Sequence, residues 1–194
     1  IIVFAAGNHG ANGAVMDYPA TYDDRILTVG SIKNTGMRSS LSGYGSKLDV
    51  VAPGENILST LPNNTVGYAS GTSMAAPHVS GIAALMIAVN PNLTRETVVR
   101  IIEQTAQKIS PNGAYTYYQY QNRYHGDMNV EVGYGLVDAA KAVAVANDAG
   151  VYPPNSSPRL DYYVMSGSAT CYDNWLVMGS SQNLTVSFSL KTAQ

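Results

Sequence analysis

Residues 70–89 have the sequence SGTSMAAPHVSGIAALMIAV. From Ser73 to Val89 apolar residues occur nearly all round the helical wheel, which predicts a helix that is buried on every side. Pro91 follows and ends the helix. A buried helix of this kind belongs to the core of a packed domain, so the segments before and after it must supply the surrounding layers.

Short apolar segments before the helix predict strands. Residues 1–6 form a continuous apolar run typical of a buried parallel strand. Residues 26–30 and 48–52 are rich in β-branched residues and end at Gly or Pro. After the core helix, Thr94 or Asn92 can cap a second, amphipathic helix. An Ala/Val helix is expected to end near residue 147. Strands that alternate with helices indicate an α/β sandwich.

The composition changes at residue 150. Residues 150–158 are rich in Pro and Ser, which predicts a linker. Beyond it, residues 160–164, 175–178 and 184–190 are expected to be strands. Residues 159–194 are therefore interpreted as the start of a β-rich module.

Composition and charge exclude several classes of function. Apolar residues make up 45% of the 194-residue chain and charged residues 12%, and the formal net charge is −2. The chain has no basic cluster, which argues against nucleic-acid and anionic-membrane partners. Its longest apolar run, residues 82–89, is far shorter than the ~20 residues of a membrane span. The single cysteine, Cys171, cannot form an internal disulfide.

Ser73 is a candidate nucleophile at the start of the core helix. Backbone N–H groups of a first helical turn and the positive end of the helix dipole can stabilise a developing oxyanion. An ordinary helix cap is the alternative. Gly71 allows a substrate backbone to approach closely, and Pro77 removes one hydrogen bond from the helix. These neighbours favour the catalytic interpretation.

Asn8 is a candidate partner of Ser73. It follows the first predicted strand at the carboxyl edge of the sheet, where open α/β folds place their ligand sites. A simple turn residue is the alternative. Together with the backbone N–H of Ser73, the Asn8 amide would supply the second donor to an oxyanion.

Residues 1–149 resemble the C-terminal half of the catalytic domain of subtilisin-like serine peptidases, the subtilases. The landmarks that carry this resemblance follow one another in the family's order. They are Ala5-Ala6-Gly7-Asn8, Tyr18-Pro19-Ala20, Ile26-Leu27-Thr28-Val29-Gly30, Leu48-Asp49-Val50-Val51-Ala52-Pro53-Gly54, Gly71-Thr72-Ser73-Met74-Ala75-Ala76-Pro77-His78 and Gly133-Tyr134-Gly135.

The resemblance implies a three-layer α/β sandwich around a mainly parallel sheet whose N-terminal part is missing. It also implies a serine endopeptidase that acts on polypeptides without an organic cofactor, in an extracellular or cell-envelope location. Ser73 would be the nucleophile and Asn8 the side-chain donor of the oxyanion hole. In the family the triad's Asp and His precede this Asn, so both are expected in an upstream part of the same protein. The chain alone is then expected to be inactive.

None of the three histidines is expected to replace the upstream base. His78 lies five residues after Ser73 on the same helix and points about 140° away from it. His9 adjoins Asn8 in a loop and is expected to face solvent or the rim of the cleft, and His125 lies in a polar, tyrosine-rich segment.

The resemblance also suggests substrate-binding and metal-binding residues. The pocket for the substrate side chain before the scissile bond would involve Ala5, Ala6, Gly7, Asp17, Gly71 and Thr72. A carboxylate at the base of this pocket would favour Lys or Arg, and a solvent-facing loop aspartate is the alternative. Asp49 is a tentative calcium ligand, with carbonyls near Ala20 and Tyr22, or else a hydrogen-bonded structural aspartate.

Three other functions stay open at this point. A sedolisin-type peptidase would carry Asp in place of Asn8, so that residue argues against it. A catalytically inactive scaffold used for binding is opposed only weakly by the intact Ser73 and Asn8. A bare fragment would expose its apolar helix unless another chain covered it.

Overall fold

The computed structural model describes residues 1–121, 123, 125–148, 162–165 and 168–171. The chain divides into two compact units, Ile1–Pro154 and Asn155–Gln194. The boundaries predicted for the linker and the second module stay predictions.

A three-stranded parallel sheet forms the centre of the first unit. Its strands are β1 (Ile2–Ala5), β2 (Ile26–Ile32) and β3 (Val50–Pro53), in the order β1-β2-β3. Ile2 lies opposite Ile26, and Val29 lies opposite Val50. The parallel pairing confirms the prediction. Every residue of β2 is buried, because this strand has a neighbour on each edge and packed layers on both faces.

Between β3 and the core helix lies an antiparallel hairpin that was not predicted. It consists of β4 (Ile57–Leu61) and β5 (Thr65–Ala69), joined by a turn in which Asn63 and Asn64 both have positive φ. The hairpin leads directly into the residues before Ser73. Paired Asn residues between two apolar segments were the signal that could have revealed it.

Three helices follow, α1 (Thr72–Val89), α2 (Arg95–Thr105) and α3 (Ala139–Asp148). Helix α1 packs across all three strands of the sheet, and α3 packs against α1 and α2. Thr94, one of the two predicted caps, accepts a hydrogen bond from the N–H of Thr97 and begins α2. Short 3-10 helices occupy Gly10–Asn12 and Pro111–Gly113.

The sheet separates two apolar clusters because side chains alternate between its faces. Leu27, Val29 and Val50 face α1. On the other face, Ile32 and Val51 pack with tyrosines and apolar residues of the irregular segment 109–136. The sheet is therefore covered on both sides, by helices on one face and by irregular chain on the other.

The prediction that α1 is buried on every side is wrong for this chain. Its buried residues are Thr72, Ala75, Val79, Ile82, Ala83 and Met86, all on one face. Leu85 is 55% exposed, and Ile87 and Val89 are also exposed. By length and composition α1 is the one described helix that could cross a membrane, but its buried face packs on the sheet as in a core helix.

The prediction that residues 1–6 form a buried strand is only half right. The strand is parallel, but Ile2 and Phe4 are exposed because β1 is an edge strand with β2 as its single neighbour in the described sheet. Its open edge and the exposed face of α1 lie side by side, and Ile1, Ile2, Val3, Ser80, Ala83 and Ile87 line a shallow groove between them.

In the second unit the structure describes one antiparallel hairpin, β6 (Tyr162–Met165) with β7 (Ser168–Cys171). Strand β6 overlaps the strand predicted at residues 160–164. The strands predicted at 175–178 and 184–190 lie outside the described residues.

Candidate active site

Ser73 lies in the first turn of α1, and its residue is exposed. The helix begins at Thr72, and its N-cap is Gly71, which offers no side-chain cap. Ser73 is therefore not the helix cap, which was the alternative to the catalytic interpretation. Two N–H groups of this first turn already have partners, because Thr72 N donates to Asn8 Oδ1 and Met74 N donates to the Gly71 carbonyl.

The side chain of Asn8 is fixed by two hydrogen bonds from Thr72. Its Oδ1 accepts from the backbone N–H of Thr72 and from the Thr72 hydroxyl, each at 3.0 Å. An amide whose oxygen accepts from two donors turns its NH2 group the other way. The Nδ2 hydrogens of Asn8 are thus directed away from Thr72.

Asn8 and Ser73 border the same small space. A Cβ added to Gly71 would lie 3.4 Å from Asn8 Nδ2 and 3.8 Å from Ser73 N. Two nitrogen atoms from different segments therefore lie near one point beside the serine, where glycine has no side chain to fill the space. Convergent donors next to a nucleophile are what an oxyanion hole requires.

Thr72 has a role that sequence reasoning missed. Its side chain was predicted to line the substrate site, but the residue is fully buried. Its Oγ1 accepts a hydrogen bond from Gly7 N at 3.2 Å and donates to Asn8 Oδ1. This geometry suits a positioning residue that joins the end of β1 to the start of α1.

Asp17 lies against the chain just before Asn8. Its N–H donates to the Ala6 carbonyl at 3.0 Å, and its carboxyl group occupies the position that a Cβ on Gly7 would take, 2.3 Å from it. Gly7 has φ 95°, a region that favours glycine. His9 Nδ1 lies 2.9 Å from Asp17 Oδ1, with side-chain exposures of 64% and 40%. The carboxylate thus faces the predicted pocket residues while keeping contact with solvent.

Comparison with known proteins identifies the family to which this chain belongs. The model of the subtilase family matches residues 1–135. The chain belongs to the subtilase family. A thermophilic serine proteinase of Bacillus sp. (strain AK1) is 42% identical over 125 residues, covering 64% of this chain and 30% of that protein. The subtilisin of Bacillus pumilus is 45% identical over 108 residues, covering 55% of this chain and 39% of its own.

Solved structures agree with this subtilase assignment. A protease structure from Pseudoalteromonas arctica is 33% identical with a TM-score of 0.60, covering 75% of this chain and 42% of that chain. The structure of the prenylagaramide maturation protease PagA, at 24% identity and a TM-score of 0.61, supports the fold alone. The predicted α/β subtilase fold is confirmed. The chain spans less than half the length of the curated relatives it matches.

The histidines of this subtilase chain have local partners. His78 Nδ1 lies 2.9 Å from the Met74 carbonyl, one turn back on α1. His125 pairs with the buried Glu103 on α2. With His9 held by Asp17, each described histidine has a partner other than Ser73.

Asp49, the tentative calcium ligand, lies at the start of β3 and is buried. Its Oδ1 accepts from Arg123 Nη2 at 2.6 Å, and its Oδ2 accepts from Thr28 N at 2.5 Å. Burial and the nearby Glu103 carboxylate raise the pKa of Asp49, whereas Arg123 and the Thr28 N–H, which both donate to its carboxylate, lower this pKa and favour the charged form.

These contacts do not fit a calcium site. Calcium takes six to eight oxygen ligands, and the described residues contain no cluster of three or more metal-ligating side chains. The Ala20 carbonyl also accepts a hydrogen bond, from Thr28 Oγ1 at 2.8 Å. The arrangement matches the alternative of a hydrogen-bonded structural aspartate.

Proposed function

We propose that this chain carries the nucleophile and oxyanion hole of a serine endopeptidase. The observation that supports this most is the convergence of Asn8 Nδ2 and Ser73 N on the space beside Gly71. Membership of the subtilase family makes peptide-bond hydrolysis the expected chemistry.

In the proposed reaction, Ser73 Oγ attacks the carbonyl carbon of the scissile peptide. Its proton passes to an upstream histidine, which an upstream aspartate orients. The oxyanion accepts hydrogen bonds from Asn8 Nδ2 and Ser73 N. The C–N bond then breaks, and the histidine's proton leaves with the amine. Water hydrolyses the acyl-Ser73 ester by the same steps, releasing the acid and restoring the serine.

We further propose that an upstream part of the same protein, which would carry the Asp and His, covers the open edge of β1. This edge presents unpaired backbone groups, and the groove beside it is lined by the exposed Ile87 of α1 together with Ile1 and Ile2. An open strand edge next to exposed apolar side chains is unfavourable in water. The chain without that part is expected to be inactive and prone to associate, which size-exclusion chromatography would detect.

Labelling with a fluorophosphonate probe tests the function. The probe reacts with an activated serine, and mass spectrometry locates the adduct. We expect labelling of Ser73 in the longest natural polypeptide that contains this chain, and none in the chain alone. Ser73→Ala in the long form is the control. If the long form stays unlabelled, the chain is better explained as an inactive scaffold used for binding.

We also propose that Asp17 favours substrates with Lys or Arg before the scissile bond. Its carboxylate lies against Gly7, next to Ala6, and a cationic side chain could pair with it. In the long polypeptide, Asp17→Ser should lower kcat/KM for an Arg-containing peptide but not for its Phe-containing counterpart. An unchanged ratio between the two peptides would rule out this role.

An extracellular or cell-envelope location is proposed from family membership.

A further inference from the structure

We infer that the guanidinium group of Arg123 is the built-in positive partner of the buried Asp49 carboxylate, in the place of a calcium ion. This subtilase would then not use Asp49 to bind calcium. The inference concerns the scaffold and does not depend on the proposed catalytic roles. It follows from the disagreement between the expected calcium site and the contacts that the structure shows.

The guanidinium group of Arg123 contacts the carboxylate oxygen that a metal ion at Asp49 would need. Its Nη2 donates to Asp49 Oδ1 at 2.6 Å and to the Leu48 carbonyl at 3.0 Å. The two charged side chains are 14% and 6% exposed. One positive group thus bridges a carboxylate and a main-chain carbonyl in a site that excludes most water, where charge pairing is strong.

Two other oxygen atoms near this site, Asp49 Oδ2 and the Ala20 carbonyl, already accept hydrogen bonds. Thr28 provides both donors, through its N–H to Asp49 Oδ2 and through its hydroxyl to the Ala20 carbonyl. A calcium ion would therefore have to displace the guanidinium and break these contacts. The oxygen ligands that it would gain from Arg123, the Asp49 carboxylate and the Leu48 carbonyl, fall short of the six to eight that calcium takes.

Arg123 also attaches a long irregular segment to the sheet. Its guanidinium carbon lies 5.1 Å from the centre of the Tyr134 ring, and Tyr134 N donates to the Asp49 carbonyl at 2.7 Å. The segment is thus held at Asp49 by an ion pair, a cation–π contact and a backbone hydrogen bond. A metal ion could supply the positive charge of Arg123, but it would not link this segment to the sheet.

The test measures the thermal unfolding midpoint of the longest natural polypeptide that contains this chain, in EDTA and in millimolar calcium chloride. The comparison is between wild type and Asp49→Asn, so that calcium sites elsewhere affect both alike. We expect calcium to shift both midpoints equally. If Asp49→Asn loses part of the calcium shift, Asp49 is a calcium ligand and the inference is overturned.

A second measurement tests the cation role of Arg123 directly. Arg123→Ala leaves a buried carboxylate without its partner, and we expect its midpoint to fall by roughly 10 °C. Low millimolar guanidinium should recover part of this loss in Arg123→Ala and none in the double variant with Asp49→Asn. Equal effects on both variants, or no recovery, would overturn the inference. Should Arg123→Ala not fold, Arg123→Lys should give a smaller loss, and the calcium comparison still decides.

Discussion

Replacing Thr72 by Val tests whether the hydroxyl of this buried residue sets the geometry of the oxyanion hole. Valine keeps the shape of the side chain but cannot accept from Gly7 N or donate to Asn8 Oδ1. The Gly7 N–H would be left buried without its partner, which costs about 1–3 kcal/mol of folding free energy. Asn8 would keep one of its two bonds, the one from Thr72 N.

The expected effect on catalysis follows from that single remaining bond. The hydrogen bond from the Thr72 hydroxyl helps to orient the Asn8 amide. If its loss weakens transition-state stabilisation by about 1.4 kcal/mol, kcat falls tenfold. The Michaelis constant should change little, because the oxyanion forms only in the transition state. Steady-state hydrolysis of a chromogenic peptide by the long polypeptide measures both quantities.

Thr28→Val is the matched control. Thr28 is equally buried, and its hydroxyl also makes a hydrogen bond, to the Ala20 carbonyl, away from Ser73. We expect a comparable loss of stability and an unchanged kcat at a temperature well below unfolding. If both variants lose kcat equally, or if Thr72→Val keeps the wild-type value, Thr72 does not position Asn8.

Three further predictions concern single side chains in the long polypeptide. Asn8→Ala should lower kcat about 10²–10³-fold with little change in KM, as loss of the corresponding donor does in a subtilisin. Peptide hydrolysis measures both constants, and an unaffected kcat would exclude Asn8 from the oxyanion hole. Met86 is fully buried, so Met86→Ala should lower the free energy of unfolding by about 2–5 kcal/mol, measured by urea titration. Met86→Leu nearly conserves volume and should cost less than about 1.5 kcal/mol. Equal losses in the two variants would contradict the packing described. Thr94→Ala removes the N-cap of α2 and should lower the free energy of unfolding by about 1 kcal/mol. Thr94→Asp can still cap the helix and should keep that stability. A similar loss in both variants would argue against capping.

Local patterns were enough to predict the elements that depend on neighbouring residues. The cap at Thr94 and the strand at residues 26–30 follow from short-range rules, and the structure contains both. Ser73 and Asn8 could be proposed as partners because one lies in the first turn of a helix and the other follows a strand. The hairpin of β4 and β5 was within reach of the same rules, because its Asn-Asn turn is a local signal.

Contacts between distant residues could not be predicted in this way. The bonds from Thr72 to Asn8 join residues 64 apart, and the bond from Arg123 to Asp49 joins residues 74 apart. No periodicity or spacing indicates which side chains meet across such separations. The exposed face of α1 was missed for a related reason. Its apolar sequence shows that burial is favourable but does not say what covers each side.

The hydrogen bond between Gly7 N and the Thr72 hydroxyl joins residues that are 65 positions apart. It can therefore form only some time after Gly7 has been synthesised. At a synthesis rate of about 5–20 residues per second, Asn8 leaves the ribosome's catalytic centre roughly 3–13 s before Thr72 and Ser73 are made. During that interval the amide has no threonine to hold it and no serine beside it. The hole can assemble only after the sheet and α1 have come together, because long-range contacts form late. On the proposed mechanism, a newly made polypeptide therefore cannot stabilise an oxyanion until this long-range contact has formed.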